Sequence, residues 1–359
     1  MRSRFAPVFL VAALALGNVG YRLAVPGYHY EFPRDHFNHP DFKTEWWYYT
    51  GNLHTAEGRR FGFELTFFRQ GNERAPAAST VWDVHDVWMA HLALSDIDGG
   101  RFLHTQRLNR AAAGLAGADV AQRRIWNGNW RAQWLDSNSQ QLDAVAENFS
   151  FKLALKSQKQ PVINGKNGIS QKAAGEGRAS HYISLTRLAA SGEIQLDGKR
   201  FDVEGLSWMD HEFFSDQLDP NQAGWDWISL QMGDGSEIML LHLRRKDGSP
   251  DAYSSGTYID PSGRSRFLSA SDFSLEPGKM WTSPETHGRY PIEWTVRIPS
   301  LGLEAAVDTK LRNQELAGGS LIPSYWEGAI DAIGVKQNNS LFGSGYLEMT
   351  GYAGGPPRL

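Results

Sequence analysis

Three adjacent ionisable side chains, Asp210, His211 and Glu212, lie within a run of large aromatic residues that continues into Phe213 and Phe214. A protein core uses aromatic side chains, but burying a charged group costs several kcal/mol unless the group is paired. An acid, an imidazole and a second acid in this setting therefore indicate a functional site. We predict that Asp210, His211 and Glu212 form a catalytic centre that faces an apolar cavity.

Other segments of the chain combine acidic and aromatic residues in the same way. They lie near residue 45, around the run at residue 210, near residue 226 and near residue 326. We predict that these segments face the same cavity and bind the substrate. The predicted substrate-binding residues are Glu45, Trp46, Trp47, Tyr48, Trp208, Trp225, Asp226, Trp227, Trp326 and Glu327.

The chemistry expected of such a site is acid catalysis on an apolar ligand. A carboxylic acid in an apolar, aromatic site can keep its proton near neutral pH, because desolvation disfavours the anion. Asp210 or Glu212 is therefore the predicted proton donor, with His211 orienting the acid or holding a water molecule. Tryptophan faces attract cations and could line the carbocation that forms when water adds to an alkene. The same groups could assist a hydrolysis or a cyclisation.

A structural role is the alternative for these residues. Asp210 and His211 could pair with each other, or with Arg34 or Arg69, and tie two parts of the fold together. Each tryptophan could equally be a core residue, since tryptophan is large and mostly buried in folded proteins. The residue types alone leave both interpretations open.

Several other classes of function lack support in the sequence. The net charge of −4 argues against a nucleic-acid-binding surface, and the absence of cysteine excludes disulfides, thiolate metal sites and a cysteine nucleophile. No G-x-S-x-G motif is present, and the glycines at 114 and 117 lack the lysine of a phosphate-binding loop. His36 and His39 are spaced as metal ligands can be, but have no helix and no third ligand nearby in sequence. We predict no metal and no cofactor.

The first residues predict export from the cytoplasm. A short basic segment over residues 1–4 precedes an apolar run over residues 5–16, which is too short for a comfortable membrane span. Ala13-Leu14-Ala15 has the form of a signal-peptidase site. We therefore predict a signal peptide within residues 1–20 and a periplasmic or secreted protein. The alternative is a leader that stays uncleaved as a membrane anchor.

The pattern of the remaining chain is that of an all-β protein. Residues 61–68 alternate apolar and polar side chains, and a hairpin is predicted from residues 46–53 and 60–69. Short strands recur between Asp-Gly and Gly-Gly turns, and no long amphipathic helix is evident. Residues 107–121 predict a loop or a weak helix, and residues 161–177 a long loop that could act as a flap. The 13 tryptophans and 12% aromatic content suit a β-rich core.

The strand pattern restarts after residue 220, which predicts two domains. Tryptophans, a strand, an acidic Gly-containing turn and an apolar strand ending in arginine follow in the same order as near residue 46. We predict an extended arm over residues 21–44 and two antiparallel barrels or sandwiches over residues 45–215 and 216–359. The Asp210-His211-Glu212 run then lies at their junction.

Five motifs occur along the chain in this order: Phe32-Pro33-Arg34-Asp35-His36, Thr44-Glu45-Trp46-Trp47-Tyr48-Tyr49-Thr50-Gly51, Phe61-Gly62-Phe63-x-Leu65-Thr66-Phe67-Phe68-Arg69, Trp208-Met209-Asp210-His211-Glu212 and Tyr325-Trp326-Glu327-Gly328. Together these motifs resemble the AttH / carotenoid 1,2-hydratase family. The resemblance runs from about residue 29 to the end of the chain and implies two lipocalin-like β-barrels in tandem. Members of the family are described as carotenoid hydratases, fungal plant-defence hydratases, polyene cyclases and secreted hydrolases. Relatives of the secreted bacterial type, which this chain resembles most, often accompany a transporter of the lipoprotein-export kind.

Two hypotheses about function follow. In the first, the protein is an exported enzyme that acts by acid catalysis on a lipid or isoprenoid-like substrate, as a hydratase or hydrolase. In the second, it is a non-catalytic carrier or chaperone that passes such a ligand to an ABC-type membrane transporter. In both, an apolar small molecule or lipid occupies the space between the barrels. The oligomeric state has no signature in the sequence.

Overall fold

The computed structural model describes residues 20–72, 86–318 and 323–354. Within these ranges the chain forms no α-helix, and its only helical turns are three short 3-10 segments at Arg34–His36, Ala112–Gly114 and Pro299–Leu301. The strands form two large antiparallel sheets and one small two-stranded sheet. The prediction of an all-β chain is confirmed.

The first large sheet contains thirteen strands. Their order across the sheet is β4-β3-β2-β1-β13-β12-β9-β8-β7-β6-β5, and the short strands β10 and β11 pair with β12. The sheet curls into a nearly closed barrel, in which β6 lies against β2 and β3. The strands are β1 (Thr44–His54), β2 (Arg60–Gly71), β3 (Asp86–Asp96), β4 (Arg101–Arg110), β5 (Ala116–Asp119), β6 (Arg124–Asn127), β7 (Trp130–Trp134), β8 (Ser139–Val145), β9 (Phe149–Ser157), β10 (Val162–Ile163), β11 (Ser170–Gln171), β12 (Ala179–Leu196) and β13 (Lys199–Phe214).

The second large sheet contains ten strands and forms a half-barrel beside the first. Its order is β17-β16-β15-β14-β25-β24-β22-β21-β18, with β23 paired to β24, while β19 and β20 pair only with each other. The chain passes from one sheet to the other between Phe214 and Gln222. The strands are β14 (Gln222–Met232), β15 (Glu237–Arg245), β16 (Ser255–Ile259), β17 (Ser265–Ser269), β18 (Ser274–Pro277), β19 (Met280–Thr282), β20 (Arg289–Pro291), β21 (Glu293–Ile298), β22 (Leu303–Asp308), β23 (Glu315–Leu316), β24 (Tyr325–Lys336) and β25 (Asn339–Met349).

The long hairpin of β12 and β13 brings the acidic run at residue 210 to the middle of the first sheet. Asp197 and Gly198, both at positive φ (49° and 77°), join the two strands in a tight turn of the kind that favours Asp-Gly. Strand β13 then pairs with β1 on its other side, so that Tyr48 lies opposite Asp210. Two segments that are more than 150 residues apart in sequence thus become neighbouring strands.

Each sheet has one apolar face that forms the interior of its own barrel. Alternate residues of β1, β2 and β3, such as Trp47, Leu65 and Leu92, pack inside the first barrel. The opposite faces of both sheets pack against each other, and a separate aromatic cluster that includes Tyr48, Tyr182, Trp208 and Trp227 fills part of the space between them. Because side chains alternate along a strand, each central strand contributes to both environments.

Ion pairs and hydrogen bonds join the two barrels. Glu237 of the second sheet is buried and accepts from Lys159 Nζ at 2.6 Å and from Arg187 Nε of the first. Arg60 and Asp331 form a bidentate ion pair, in which Nη2 donates to Oδ1 at 2.6 Å and Nη1 donates to Oδ2 at 2.9 Å. Fully paired charges of this kind set the relative position of two surfaces, since a displaced partner leaves a buried charge unpaired.

The chain that precedes β1 lies on the first barrel as an arm. The Trp47 indole donates to the carbonyl of His36 at 3.0 Å, and Arg69 donates to the carbonyls of His39 and Phe42. His36 and His39 are buried as a result. The arm is therefore attached through specific polar contacts with the first two strands.

Two local expectations differ from the structure. Residues 107–121, expected as a loop or weak helix, contain the end of β4, a 3-10 turn and β5, because this Ala/Gly-rich segment finds partners in β3 and β6. The long loop over residues 161–177 carries the short strands β10 and β11, which pair with β12 and hold it against the barrel. Local composition did not reveal either pairing.

The predicted signal peptide lies outside the described residues, apart from Gly20. Within the described ranges, no helix has the length and apolarity required to cross a membrane.

Candidate functional site

A deep pocket separates the two barrels and encloses about 940 Å³ of empty space, its open mouth included. Its walls are the outer face of β1, β2, β3, β12 and β13 on one side and strands β14, β15, β24 and β25 on the other. Half of the 22 lining residues are aromatic or aliphatic, and four are acids. The lining residues are Trp46, Tyr48, Glu64, Thr66, Phe68, His91, Lys172, Tyr182, Asp210, Glu212, Gln217, Leu218, Trp225, Trp227, Leu241, Leu243, Pro323, Ser324, Tyr325, Glu348, Thr350 and Gly351.

Strand alternation divides the Asp210-His211-Glu212 run between two environments. Asp210 and Glu212 line the cavity, whereas His211 points into the first barrel. There its ring stacks on Trp47 with 4.8 Å between ring centroids, and its Nε2 contacts Glu45 at 2.8 Å. The three adjacent residues therefore do not form one centre, because neighbouring residues of a strand face opposite sides of a sheet.

Asp210 is a buried acid held by three hydrogen bonds. Its carboxyl group accepts from Ser184 Oγ at 2.5 Å, from Tyr182 Oη at 2.6 Å and from Trp208 Nε1 at 2.7 Å. Burial raises its pKa, the three donors oppose the rise and nearby Glu212 adds to it, so that the pKa is about 7. Asp210 can therefore carry a proton near neutral pH.

Glu212, two residues further along the same face, has a cationic partner. Lys172 Nζ lies 3.4 Å from Glu212 Oε2, which also accepts from Ser180 Oγ. Lys172 is the only lysine or arginine among the lining residues of the described chain. Burial lowers its pKa, opposed by the charge of Glu212. The two acids of the run thus differ: Asp210 has neutral donors around it, and Glu212 has an ammonium group.

A second group of polar side chains lies on the part of the wall formed by β2, β3 and β24. Tyr325 Oη donates to Glu64 Oε1 at 3.1 Å and lies 2.6 Å from His91 Nδ1. Burial raises the pKa of Glu64 to about 7 and lowers that of His91 to about 3. His91 is therefore neutral at physiological pH, and Glu64 exchanges its proton near neutral pH.

Two further acids lie on the second sheet in the same region. Burial, together with the charges of Glu64 and other nearby acids, raises the pKa of Glu348 to about 8. Burial also raises the pKa of Glu327 far above its usual value, and Glu327 accepts a 2.5 Å hydrogen bond from Tyr48 Oη. Several acids in the space between the barrels can therefore carry a proton near neutral pH.

Inside the first barrel, His39, Glu45 and His211 form a group that could hold a metal ion. One ligand atom from each lies within 4.8 Å of the others. However, the two imidazoles contact Glu45 Oε1 directly at 2.7 and 2.8 Å, and Arg69 Nε lies 3.2 Å from Glu45 Oε2. These are hydrogen-bond distances, and a guanidinium group beside the carboxylate already supplies positive charge. The group fits a buried ion-pair network that attaches the arm.

The predicted substrate-binding residues are divided in the same way. Trp46, Tyr48, Trp225 and Trp227 line the cavity. Trp208 lies behind the wall, where it donates to Asp210, and Glu327 lies behind Tyr48. Three others point elsewhere: Glu45 and Trp47 into the first barrel, and Trp326 into the core of the second.

Asp226 also lies away from the cavity wall. It is buried among His242 Nδ1, Arg244 Nε and Tyr352 Oη, each about 3.0 Å from its carboxylate. This is the second-sheet counterpart of the network around Glu45, and it has the arrangement expected of a structural charge cluster. The acid at residue 226 and the tryptophans beside it therefore face opposite sides of β14.

Six ionisable side chains of the cavity were not predicted as site residues by the sequence analysis. The sequence contains a signal for Glu64, because this acid alternates with the core phenylalanines of β2 and therefore lies on the other face of the strand. Glu348 occupies the same kind of position in β25. His91, Tyr182 and Tyr325 lie on strands whose outer face could not be recognised as buried. The missed residues are Glu64, His91, Tyr182, Tyr325 and Glu348, and Lys172 in the loop before β12 was likewise not singled out.

Fold and site together define a class of protein: two antiparallel β-barrels side by side, with an aromatic cavity lined by acids between them. A family model described as AttH-like matches residues 23–352, and the chain belongs to the AttH-like family. The resemblance found in the sequence motifs is confirmed.

Solved structures and a curated relative extend this result. The crystal structure of an AttH protein from Nitrosomonas europaea is 34% identical, with a TM-score of 0.79, and the match covers 92% of this chain and 99% of that one. Kievitone hydratase from Nectria haematococca shares the fold at 14% identity, with a TM-score of 0.66 over 86% of this chain and 89% of that one. The dehydratase asqC of Emericella nidulans is 22% identical over 211 residues, which span 56% of this chain and 58% of the relative's length.

Proposed function

We propose that this protein adds water to a carbon–carbon double bond of an elongated apolar ligand, or removes water from the corresponding alcohol, in the cavity between its barrels. The observation that carries the proposal is Asp210, a buried acid with a pKa of about 7 on an aromatic wall. The names of two similar proteins, a hydratase and a dehydratase, point the same way.

In the proposed hydration, Asp210 transfers its proton to one carbon of the double bond. The neighbouring carbon becomes cationic and is stabilised by the faces of Trp225, Trp227 and Tyr48, whose quadrupoles attract positive charge. A water molecule bonds to this carbon and gives a proton to Glu212, which lies on the same face of β13. The product is the alcohol, and solvent returns the proton from Glu212 to Asp210. Dehydration is the reverse sequence.

The positions of the two acids suit these different roles. Asp210 has only neutral hydrogen-bond donors, and it is the group that must enter the reaction protonated. Glu212 lies beside the ammonium group of Lys172, which suits an acid that accepts a proton from water. Two carboxyl groups with different surroundings on one wall are a recurrent arrangement for acid–base catalysis. One positioned general acid contributes a rate factor of about 10²–10⁴.

A carrier function is the alternative, because the same apolar cavity could hold a ligand without changing it. In that case the acids would bind a polar group of the ligand. The role of the exported protein would be to deliver this ligand to a membrane transporter. Signal-peptide-directed export and the transporter remain proposals with either function.

The experiment that separates the two functions compares the wild-type protein with Asp210→Asn. Each is incubated in ¹⁸O-labelled water with an apolar extract of the source organism, and the products are followed by mass spectrometry. We expect the wild type to incorporate label into a ligand alcohol and Asp210→Asn to lose at least about 100-fold of that rate while still binding the ligand. The exposed Asp202→Asn provides the matched control.

Native mass spectrometry of the same proteins reports the bound ligand independently. A ligand bound by both proteins with no labelled product from either would support the carrier function. The absence of any apolar ligand from the cavity of the wild type would contradict both.

A further inference from the structure

One row of side chains crosses the first sheet beneath the cavity and connects two polar groups. Asp210 lies opposite Tyr48, Tyr48 opposite Thr66, and Thr66 opposite His91, in four neighbouring strands. Residues paired in this way share one face of the sheet, and all four line the cavity. With a strand spacing of about 4.8 Å, Asp210 and His91 are separated by roughly 14 Å along the sheet.

The group at the far end is built from both barrels. Glu64 and His91 belong to β2 and β3 of the first sheet, and Tyr325 begins β24 of the second. When the single hydroxyl proton of Tyr325 is donated to Glu64 Oε1, the tyrosine oxygen accepts from His91 Nδ1–H. That assignment leaves His91 Nε2 unprotonated, as an acceptor. The ring is held in place by stacking against Tyr325, with 5.6 Å between ring centroids.

Two polar atoms of this group have no hydrogen-bond partner among the described residues. They are His91 Nε2 and Glu64 Oε2, each on a fully buried side chain that lines the cavity. Buried polar atoms are paired in the great majority of cases, so two of them in one wall need an explanation. The acid of Glu64, when protonated, offers a donor at Oε2, and His91 offers an acceptor at Nε2 on the same wall. A hydroxyl group can satisfy both, since it donates once and accepts as well.

We infer that Glu64, His91 and Tyr325 form a second polar subsite, which binds an uncharged oxygen function, best a hydroxyl, at the end of the ligand remote from Asp210. The ligand class is then an elongated molecule with an apolar middle and an oxygen function near each end. The wall between the two subsites suits such a middle, because Trp46, Tyr48 and Phe68 cover it. This inference rests on the proposed function only in placing an apolar ligand in the cavity.

The test compares two probes of equal chain length, decane-1,10-diol and decan-1-ol. The oxygens of the extended diol are separated by about the distance between the two subsites. Binding is followed by tryptophan fluorescence and confirmed by isothermal titration calorimetry. We expect the wild type to bind the diol about tenfold more tightly than the mono-alcohol, which corresponds to one additional net hydrogen bond in a buried site.

Two variants then test whether His91 and Glu64 cause the preference for the diol over the mono-alcohol. His91→Phe keeps the stacked ring but removes the acceptor, and Glu64→Met keeps the length of the side chain but removes the acid. In each variant we expect the diol to lose its advantage while the affinity for the mono-alcohol stays within about twofold. Glu57→Gln, on an exposed turn, serves as the control and should keep the tenfold ratio. Circular dichroism establishes which variants are folded, and either one alone suffices for the comparison.

The outcomes separate this inference from the proposed function. Equal affinities of the wild type for diol and mono-alcohol would overturn the second subsite and leave the proposed function intact. A preference for the diol that survives in both His91→Phe and Glu64→Met would also overturn it. If neither probe binds to the wild type, the proposal of an apolar-ligand site is itself contradicted. Loss of hydration activity in Asp210→Asn bears only on the proposed function, because the subsite is read out by binding.

Discussion

Individual acids in this protein have very different surroundings, although they are the same residue types. Glu45 is surrounded by two imidazoles and a guanidinium group; burial raises its pKa, but these partners more than offset the rise and hold it below the ordinary value. Glu327 has one tyrosine donor and nearby acids, and its pKa is raised. The first kind of acid anchors the fold as an anion, and the second is stable only while it carries its proton.

The acid at residue 327 provides a pH test of this distinction. A raised pKa means that the stabilisation is fully present below the unfolded-state value, about 4.3 for glutamate, and is lost as the pH rises through the folded-state value. Glutamine mimics the protonated acid and does not titrate. We expect Glu327→Gln to gain stability relative to the wild type as the pH increases above about 5, by up to 1.4 kcal/mol per unit.

Urea unfolding at pH 5, 7 and 9 measures this difference. The matched control is Glu57→Gln, where an exposed acid is replaced and the difference from the wild type should not change with pH in this range. A constant difference for Glu327→Gln would show that the buried acid does not gain a proton on folding.

At the scale of the strand, β13 explains why one short motif serves two purposes. Asp210 and Glu212 face the cavity, and His211 between them faces the interior of the first barrel, where it contacts Glu45 and the carbonyl of Asp35. The same alternation in β1 sends Trp46 and Tyr48 to the cavity and Trp47 to the core. A strand between two packed layers is thus buried on both faces and carries a different chemistry on each.

Substitution of His211 separates the two faces. We expect His211→Phe to lower the free energy of unfolding by about 3 kcal/mol, because Glu45 keeps its buried charge but loses a partner. The affinity of the cavity for decan-1-ol should stay within about twofold of the wild type, since the ring points away from it. Urea unfolding and fluorescence titration measure the two quantities. Loss of binding in a fully folded His211→Phe protein would contradict this assignment of faces.

At the scale of the whole molecule, the cavity exists because two barrels pack through their outer faces. Neither sheet encloses the pocket alone, and its walls draw on strands from both. Glu237 lies at this junction, with Lys159 and Arg187 reaching it from the other barrel. The orientation of the barrels, and hence the distance between the cavity walls, depends on such paired charges.

Substitution of Glu237 tests whether paired charges stabilise the junction between the barrels. We expect Glu237→Gln to destabilise the protein by about 3–5 kcal/mol, because two largely buried cations lose their counter-charge. Glu276→Gln, in an exposed ion pair with Arg297, should change stability by no more than about 0.5 kcal/mol. Thermal and urea unfolding measure both. Equal stability of the two variants would show that the junction is held by apolar packing alone.

Sequence alone determined the class of fold, the position at which the strand pattern restarts and the family, because alternation, turn residues and motif order are local signals. It also identified Asp210, Glu212 and four of the aromatic residues around them as cavity residues, since acids among aromatics are unusual enough to be noticed. It could not decide that His211, Glu45 and Trp47 face inward, because both faces of β1 and β13 are buried and no polar side marks the outside.

Only the packing of one barrel against the other decided which acids share a cavity. Glu64 and Glu348 are nearly 300 residues apart in the chain, and Lys172 comes from a loop whose composition carries no signal of burial. Their raised or lowered pKa values arise from burial, and the cavity that they line has walls from both barrels. The periodicity of a strand depends on neighbouring residues and can be recognised in the sequence. The loss of water from a site depends on which surfaces from distant parts of the chain pack together, and only the tertiary structure shows this.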